Sequence, residues 1–151
     1  MRQRLVNARS VGIRHIASYY TEASDKSILA LLQVQIMPLP PVQAGSTVLE
    51  SSYEAYSEVE PQYVEGSNVS VVNMPNVGKG LEVITREYLQ SSTREISQVE
   101  ILTARFVFPL TDMVISLNFM TPNMDEAVPL IQLFELIASS LDVTENRERK
   151  E

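Results

Sequence analysis

The stretch that decides the fold is FVFPLTDMVISLNFMTPNMDEAVPLIQLFELIASSLDV, residues 106–143. Its middle alternates apolar and polar residues from Val114 to Phe119, which is the period of a β-strand with one buried face. After Thr121 and Pro122 the apolar residues recur at steps of three and four, as in a helix that lies on a sheet. The members of this helical stripe are Val128, Ile131, Phe134, Ile137, Ala138 and Leu141. The pattern therefore predicts a strand, a break and a packed helix.

Further strand-like segments precede this unit, separated by short turns. The four predicted strands of this region are residues 69–74, 81–89, 99–108 and 113–120. Strands joined by short loops are usually antiparallel neighbours, so the four should form a meander. The first turn contains Gly78, Lys79 and Gly80, without the glycine spacing or the helix start of a phosphate-binding loop. Glycine's access to positive φ instead favours a hairpin turn.

The region before the meander predicts a hairpin followed by a helix. Residues 10–20 and 27–37 are apolar-rich runs on either side of the polar stretch TEASDK, and the prolines of PLPP end the second run. Thr47 and Glu50 have the spacing of a capping box, which predicts a helix over residues 47–59. Its expected inward stripe is Val48, Leu49, Ser52, Tyr53, Tyr56 and Val59.

Together these elements predict an α+β fold. We expect an antiparallel β-sheet, made of the N-terminal hairpin and the four-strand meander, packed by two α-helices. A chain of 151 residues suits a single core. We therefore expect one domain over residues 1–143 and a charged, flexible tail over residues 144–151.

Composition excludes several classes of protein and of site. With 44% hydrophobic and 21% charged residues, the chain has the composition of a soluble protein, and no apolar run approaches the roughly 18 residues of a membrane span. The absence of cysteine excludes disulfides, thiolate nucleophiles and cysteine-based zinc sites. A net charge of −7 argues against nucleic acid as a partner.

The first acidic residue is Glu22, and the arginine-bearing stretch before it has two interpretations. It is either an organelle leader or the beginning of the first strand, which Val11 and Ile13 fit. It never gathers the continuous apolar stretch of a secretory leader. We take a cytoplasmic location as the expectation.

The closing unit resembles a known family. Phe119-Met120-Thr121-Pro122, followed by Leu133-Phe134-Glu135-Leu136-Ile137-Ala138-Ser139-Ser140-Leu141, is similar to the last strand, break and helix of the PsbP/Mog-like domains. That group includes the photosystem protein PsbP, the Ran-binding protein Mog and the Eag-type chaperones of type VI secretion. Residues 68–89 also look like the family's strand, glycine-containing turn and strand, so the resemblance covers mainly residues 66–143. It implies a small α+β domain that binds other proteins as an adaptor or chaperone-like module, with no catalytic residues.

The sequence contains no recognisable catalytic or metal-binding set. His15 is the single histidine, and it lies in a predicted strand beside Arg14 and Ile16. One histidine cannot form a metal cluster, and we interpret it as a strand residue rather than a general base. We therefore expect no catalytic residues, no bound cofactor and no metal ligands.

The acidic helix offers the best candidates for partner binding. Glu50, Glu54 and Glu58 are spaced four apart and share one helix face, with Tyr53 and Tyr56 beside them. This face either contacts a partner or keeps the domain soluble. The leading functional hypothesis is a non-enzymatic protein-binding or adaptor domain with an unidentified protein partner.

Two other functional hypotheses remain open. One is a small-molecule-binding domain or enzyme whose pocket lies between the sheet and helix 47–59. The other is a homodimer that forms through an exposed edge of the sheet.

Overall fold

Six strands form one antiparallel sheet in the computed structural model of the chain, which describes residues 13–23, 26–42, 44–57, 68–90 and 98–143. The elements in chain order are β1 (Ile13–Ala23), β2 (Lys26–Pro38), α1 (Val48–Ser57), β3 (Asn68–Met74), β4 (Gly78–Gln90), β5 (Gln98–Pro109), β6 (Met113–Thr121), a 3₁₀ turn (Met124–Glu126) and α2 (Ala127–Ser139). The predicted α+β class is confirmed.

The strand order is β1-β2-β6-β5-β4-β3, so β1 and β3 are the edge strands of the described sheet. The N-terminal hairpin and the meander are both confirmed, and every neighbouring pair is antiparallel. The sequence did not predict that β2 pairs with β6, which joins the hairpin to the meander. This pairing places the strand of the closing unit in the interior of the sheet.

The hairpin of β1 and β2 is longer than predicted. Thr21 pairs with Ile28, and Ala23 pairs with Lys26, so most of the TEASDK stretch belongs to the strands. Polar side chains do not interrupt main-chain pairing, and an antiparallel hairpin needs only about two residues in its loop. Of the other predicted boundaries, residues 10–12, Val59 and the tail at 144–151 lie outside the described residues.

The two helices cover opposite faces of the sheet. Along β6, Leu117 and Phe119 belong to the larger apolar cluster with α2, whereas Val114 belongs to a smaller cluster. Val48 and Leu49, in the first turn of α1, pack against that smaller cluster. Because strand side chains alternate between faces, each helix has its own apolar layer.

The buried stripe of α2 agrees with the predicted one at Phe134 and Ala138 but differs from it elsewhere. Its buried members are Ala127, Leu130, Phe134 and Ala138. Val128 and Ile137, which the periodicity placed inward, are exposed. The ring of Phe134 stacks on Phe119 at a centroid distance of 4.6 Å, on the side of the helix where Leu130 and Ala138 are also buried.

The predicted break at Thr121 and Pro122 is confirmed, since β6 ends at Thr121. The buried Thr121 hydroxyl donates to the carbonyl oxygen of Leu29 at 2.7 Å. The Asn123 side chain accepts from the Leu29 amide at 2.8 Å and donates to the carbonyl oxygen of Ser27 at 2.8 Å. These bonds attach the start of the closing helical segment to β2.

Two glycines in the β3–β4 hairpin have different structural roles. Gly78 has a φ of 81°, so the predicted turn role of glycine is confirmed there. Gly80 lies within β4, under the ring of Phe108. A Cβ atom at Gly80 would lie 2.6 Å from the Val107 carbonyl oxygen and 2.6 Å from Phe108 Cε1. Gly80 is therefore required by packing rather than by its backbone angle.

Replacing Gly80 by Ala is expected to lower the free energy of unfolding by about 1–3 kcal/mol, because the new methyl group must displace a buried ring and a strand. Urea denaturation followed by circular dichroism measures this loss. Lys79→Ala, an exposed neighbour, should change the free energy by less than about 0.5 kcal/mol. Equal stability of the Gly80→Ala variant and the wild type would show that the ring can move aside freely.

Candidate functional site

The outer surface of α2 is unusually apolar for an exposed helix. Val128 is 69% exposed and Leu136 is 68% exposed, and Leu133 and Ile137 are also exposed. The apolar side chains of a helix normally face a packed neighbour, yet α2 packs against the sheet on one side only. The exposed side of α2 is therefore a candidate interaction surface.

An apolar trough runs along one flank of α2, between the helix and the β1–β2 hairpin. Its volume is about 240 Å³. The residues that line it are Ala17, Ser18, Ala30, Leu31, Leu32, Phe119, Leu133, Phe134 and Ile137. Because Ala17 and Ala30 are small, the sheet leaves space there that larger side chains would fill. The trough is smaller than the roughly 300–1,000 Å³ of typical small-molecule sites, so it suits one or two side chains of a partner.

An acidic cleft of about 650 Å³ lies on the opposite flank of α2, between the helix and strands β3 and β4. Its lining includes Glu82 from β4 and Glu135 from α2, together with Asn73, Gln132 and Ser139. Glu82 stands between Leu81 and Val83, which face α1, so the alternation of the strand directs it towards α2. Two carboxyl groups from distant parts of the chain therefore meet in this cleft.

The environment of Glu82 favours its protonated form. The residue is only 7% exposed. Burial, the nearby charge of Glu135 and a hydrogen bond with Glu135 raise the pKa of Glu82 from 4.5 to about 7. Near neutral pH the pair therefore holds a proton that ordinary glutamates have lost.

Sequence reasoning missed both flanks of α2. The signal for the cleft was the acidic residue Glu82 between the apolar residues Leu81 and Val83, but the meeting with Glu135 depends on how α2 crosses the sheet. The signal for the exposed surface was the helix sequence AVPLIQLFELIAS, whose polar side chains are few. Periodicity assigned two of its exposed apolar residues, Val128 and Ile137, to the core.

The residues predicted to bind a partner lie on α1, on the other face of the sheet. Glu50 accepts a hydrogen bond from the Thr47 amide at 2.8 Å, and the Thr47 hydroxyl accepts one from the Glu50 amide at 3.1 Å. The predicted capping box is thus confirmed, and one carboxylate oxygen of Glu50 is engaged in it. Tyr53, which was predicted to face inward, is 41% exposed, so that part of the prediction is wrong, and Glu54 is exposed.

The other two predicted partner-binding residues, Tyr56 and Glu58, lie wholly or partly outside the described residues. Tyr56 belongs to α1, but its side chain lies outside the described part of the chain, as does the whole of Glu58. The structure therefore brings Glu50, Tyr53 and Glu54 together on one short helix. Their role in partner binding stays a prediction.

A polar cluster occupies the α1 side of the sheet. The Asn118 side chain accepts from Arg105 Nε at 2.7 Å and from the Ser116 hydroxyl at 3.2 Å, and it donates to Gln35 Oε1 at 3.0 Å. Asn118 and Ser116 are buried, so these bonds replace the water that burial removes. We interpret the cluster as part of the scaffold.

Comparisons of the chain with protein-family models, curated proteins and solved structures find no match. Among the described residues, no group of three or more acidic or histidine side chains is placed to hold a metal ion. None of the described helices is both long and apolar enough to cross a membrane. The candidate site therefore depends on the geometry around α2.

Proposed function

We propose that the chain is a non-enzymatic protein-binding or adaptor domain whose binding surface is the outer side of α2 and the adjoining apolar trough. The observation that carries this proposal is the apolar surface that α2 exposes although it is already packed on the sheet. Side chains of a partner would remove this surface from water, at about 25 cal/mol for each Å² of apolar area buried.

Assignment to the PsbP/Mog-like group is part of the same proposal. It is supported by the order of β6, the break at Thr121 and Pro122, and α2 on an antiparallel sheet. Binding of proteins rather than catalysis is what that resemblance implies. The resemblance uses the sequence of the closing unit, and the surface argument uses the exposure of Leu133, Leu136 and Ile137 within that same unit.

Affinity capture from the native lysate tests the proposal. Wild-type protein should retain a partner, and Leu136→Gln should lose it, because this change removes exposed apolar surface without adding charge. Val71→Gln is the matched control, since Val71 is an exposed apolar residue on the edge strand β3. Capture of no partner above background, or equal capture by both variants, would contradict binding at α2.

A third variant separates α2 from the α1 residues predicted by sequence. The double variant Tyr53→Ala and Glu54→Gln changes two exposed residues of α1 and leaves α2 unchanged. We expect this variant to retain the partner. If it loses the partner while Leu136→Gln keeps it, the binding surface is the α1 set instead.

The meeting of Glu82 with Glu135 favours a second candidate function, a small-molecule-binding domain or an enzyme. A carboxyl group that titrates near neutral pH suits general acid–base catalysis. The cleft lies on the α2 face, whereas the sequence placed a pocket beside α1, where Val48 and Leu49 pack against the sheet. Turnover of a small molecule that Glu82→Gln abolishes, without any captured protein, would establish this candidate over the first.

A further inference from the structure

We propose that the partner segment that docks on α2 is amphipathic and basic, with apolar side chains in the trough and lysine or arginine side chains over the acidic cleft. This inference rests on the proposed function and specifies the chemistry of the partner. Its evidence is the difference between the two flanks of a single helix.

The two flanks of α2 present opposite chemistry along the same length of helix. Leu133 and Ile137 face the apolar trough, whereas Glu135 and Ser139 face the acidic cleft. Leu136, the most exposed of the apolar residues that line the cleft, lies between Leu133 and Ile137 in the sequence. A segment lying along α2 therefore has an apolar surface on one side and carboxyl groups on the other. An amphipathic segment matches both sides at once.

The charges around α2 favour a basic partner over an acidic one. Residues 122–143 include Asp125, Glu126, Glu135 and Asp142, and no lysine or arginine. The residues that line the cleft include no basic side chain. Arg86, on the same face of β4 as Glu82, pairs with Glu100 at 3.9 Å. Lysine or arginine from a partner would supply the charge that the cleft residues lack.

Glu82 couples this docking to protons. Its cross-strand neighbours are Ser70 on β3 and Phe106 on β5, which do not titrate, and the titratable group that faces it from α2 is Glu135. A cation over the cleft stabilises the ionised pair and lowers the pKa of Glu82 from about 7. Binding of a basic segment therefore releases protons near neutral pH, and its affinity should increase from pH 6 to pH 8.

Two designed peptides test the partner chemistry directly. Both have leucines at helical spacing, and they differ in carrying lysine or glutamate at every polar position. Fluorescence anisotropy should show the lysine peptide binding wild type at least about tenfold more tightly than the glutamate peptide. Leu136→Gln should weaken the lysine peptide about tenfold. Val71→Gln should not weaken it. Since both variants keep the net charge of the wild type, a loss with Leu136→Gln alone would show that net charge by itself does not hold the peptide.

Glu82→Gln provides a separate test of the proton coupling. We expect this variant to bind the lysine peptide with an affinity that no longer rises between pH 6 and pH 8, while its circular dichroism spectrum stays that of wild type. An unchanged pH dependence would remove Glu82 from the binding surface and overturn the placement of the basic side chains.

The outcomes distinguish the partner chemistry from the function itself. Equal binding of the two peptides would overturn the basic partner but leave protein binding at α2 intact, provided that Leu136→Gln still weakens both. No binding of either peptide, or binding that survives Leu136→Gln, would overturn the docking surface and with it the proposed function.

Discussion

The wild-type protein is expected to become less stable as the pH rises from about 4.5 to about 7, and replacement of Glu82 by Gln should abolish this loss. The pKa of Glu82 is about 7 in the folded protein and 4.5 as an ordinary glutamate. Below pH 4.5 the residue is protonated in both the folded and the unfolded protein, so its ionisation does not lower the free energy of unfolding. As the pH rises, the unfolded chain ionises first, and this favours unfolding.

The size of the effect follows from the displacement of the pKa. Each pKa unit corresponds to about 1.4 kcal/mol, so the unfolding free energy should fall by at most about 3–4 kcal/mol and then level off above pH 7. The difference in unfolding free energy between wild type and Glu82→Gln, measured in urea at a series of pH values, isolates this contribution from other titrating groups.

Ser139→Ala is the control for the pH effect, because Ser139 lines the same cleft and does not titrate. Its stability should follow the pH dependence of the wild type. If the difference in unfolding free energy between wild type and Glu82→Gln did not depend on pH, the carboxyl group of Glu82 would be hydrated rather than buried.

Truncation of Phe119 to Ala is expected to cost about 3–5 kcal/mol of unfolding free energy. Phe119 is 1% exposed, and its ring lies between two others. It meets Phe106 edge-on at a centroid distance of 5.8 Å and stacks on Phe134 at 4.6 Å. The substitution would therefore remove one of the buried contacts between the sheet and α2, as well as a large buried area.

Chemical denaturation measures this loss, and hydrogen exchange locates it. Amides of α2 should exchange faster in Phe119→Ala even under conditions where the protein stays folded. Phe119→Leu retains most of the volume and should cost less than the alanine variant. A loss below about 1 kcal/mol for Phe119→Ala would mean that α2 is held mainly by other contacts.

The fold could be predicted from sequence where local patterns and packing agree. Alternation from Val114 to Phe119 predicted β6, and Thr121 and Pro122 predicted its end. Thr47 and Glu50 predicted the start of α1 because both partners of a capping box lie within one turn. In each case the sequence pattern that allows the prediction lies within a few residues of chain.

The candidate site could not be predicted in the same way, because it depends on contacts between distant segments. Glu82 and Glu135 meet only after β4 enters the sheet and α2 crosses it. The trough requires that β2 pair with β6, which brings Ala30 near Phe119. The rotation of α2, which exposes Val128 and Ile137, follows from the packing of Leu130, Phe134 and Ala138 on the sheet. None of these contacts has a periodic signature.

Asn123 has a further consequence for how the sheet meets its helix. A primary amide presents one acceptor and N–H donors, as a peptide unit does, and Asn123 uses them on the backbone of Ser27 and Leu29. The side chain thus substitutes for one more residue of β6 after the main chain has turned away. The hydrogen bonding to β2 therefore continues for one residue position beyond the end of β6. The point at which the chain turns towards α2 is fixed by β2, which lies more than ninety residues earlier in the sequence.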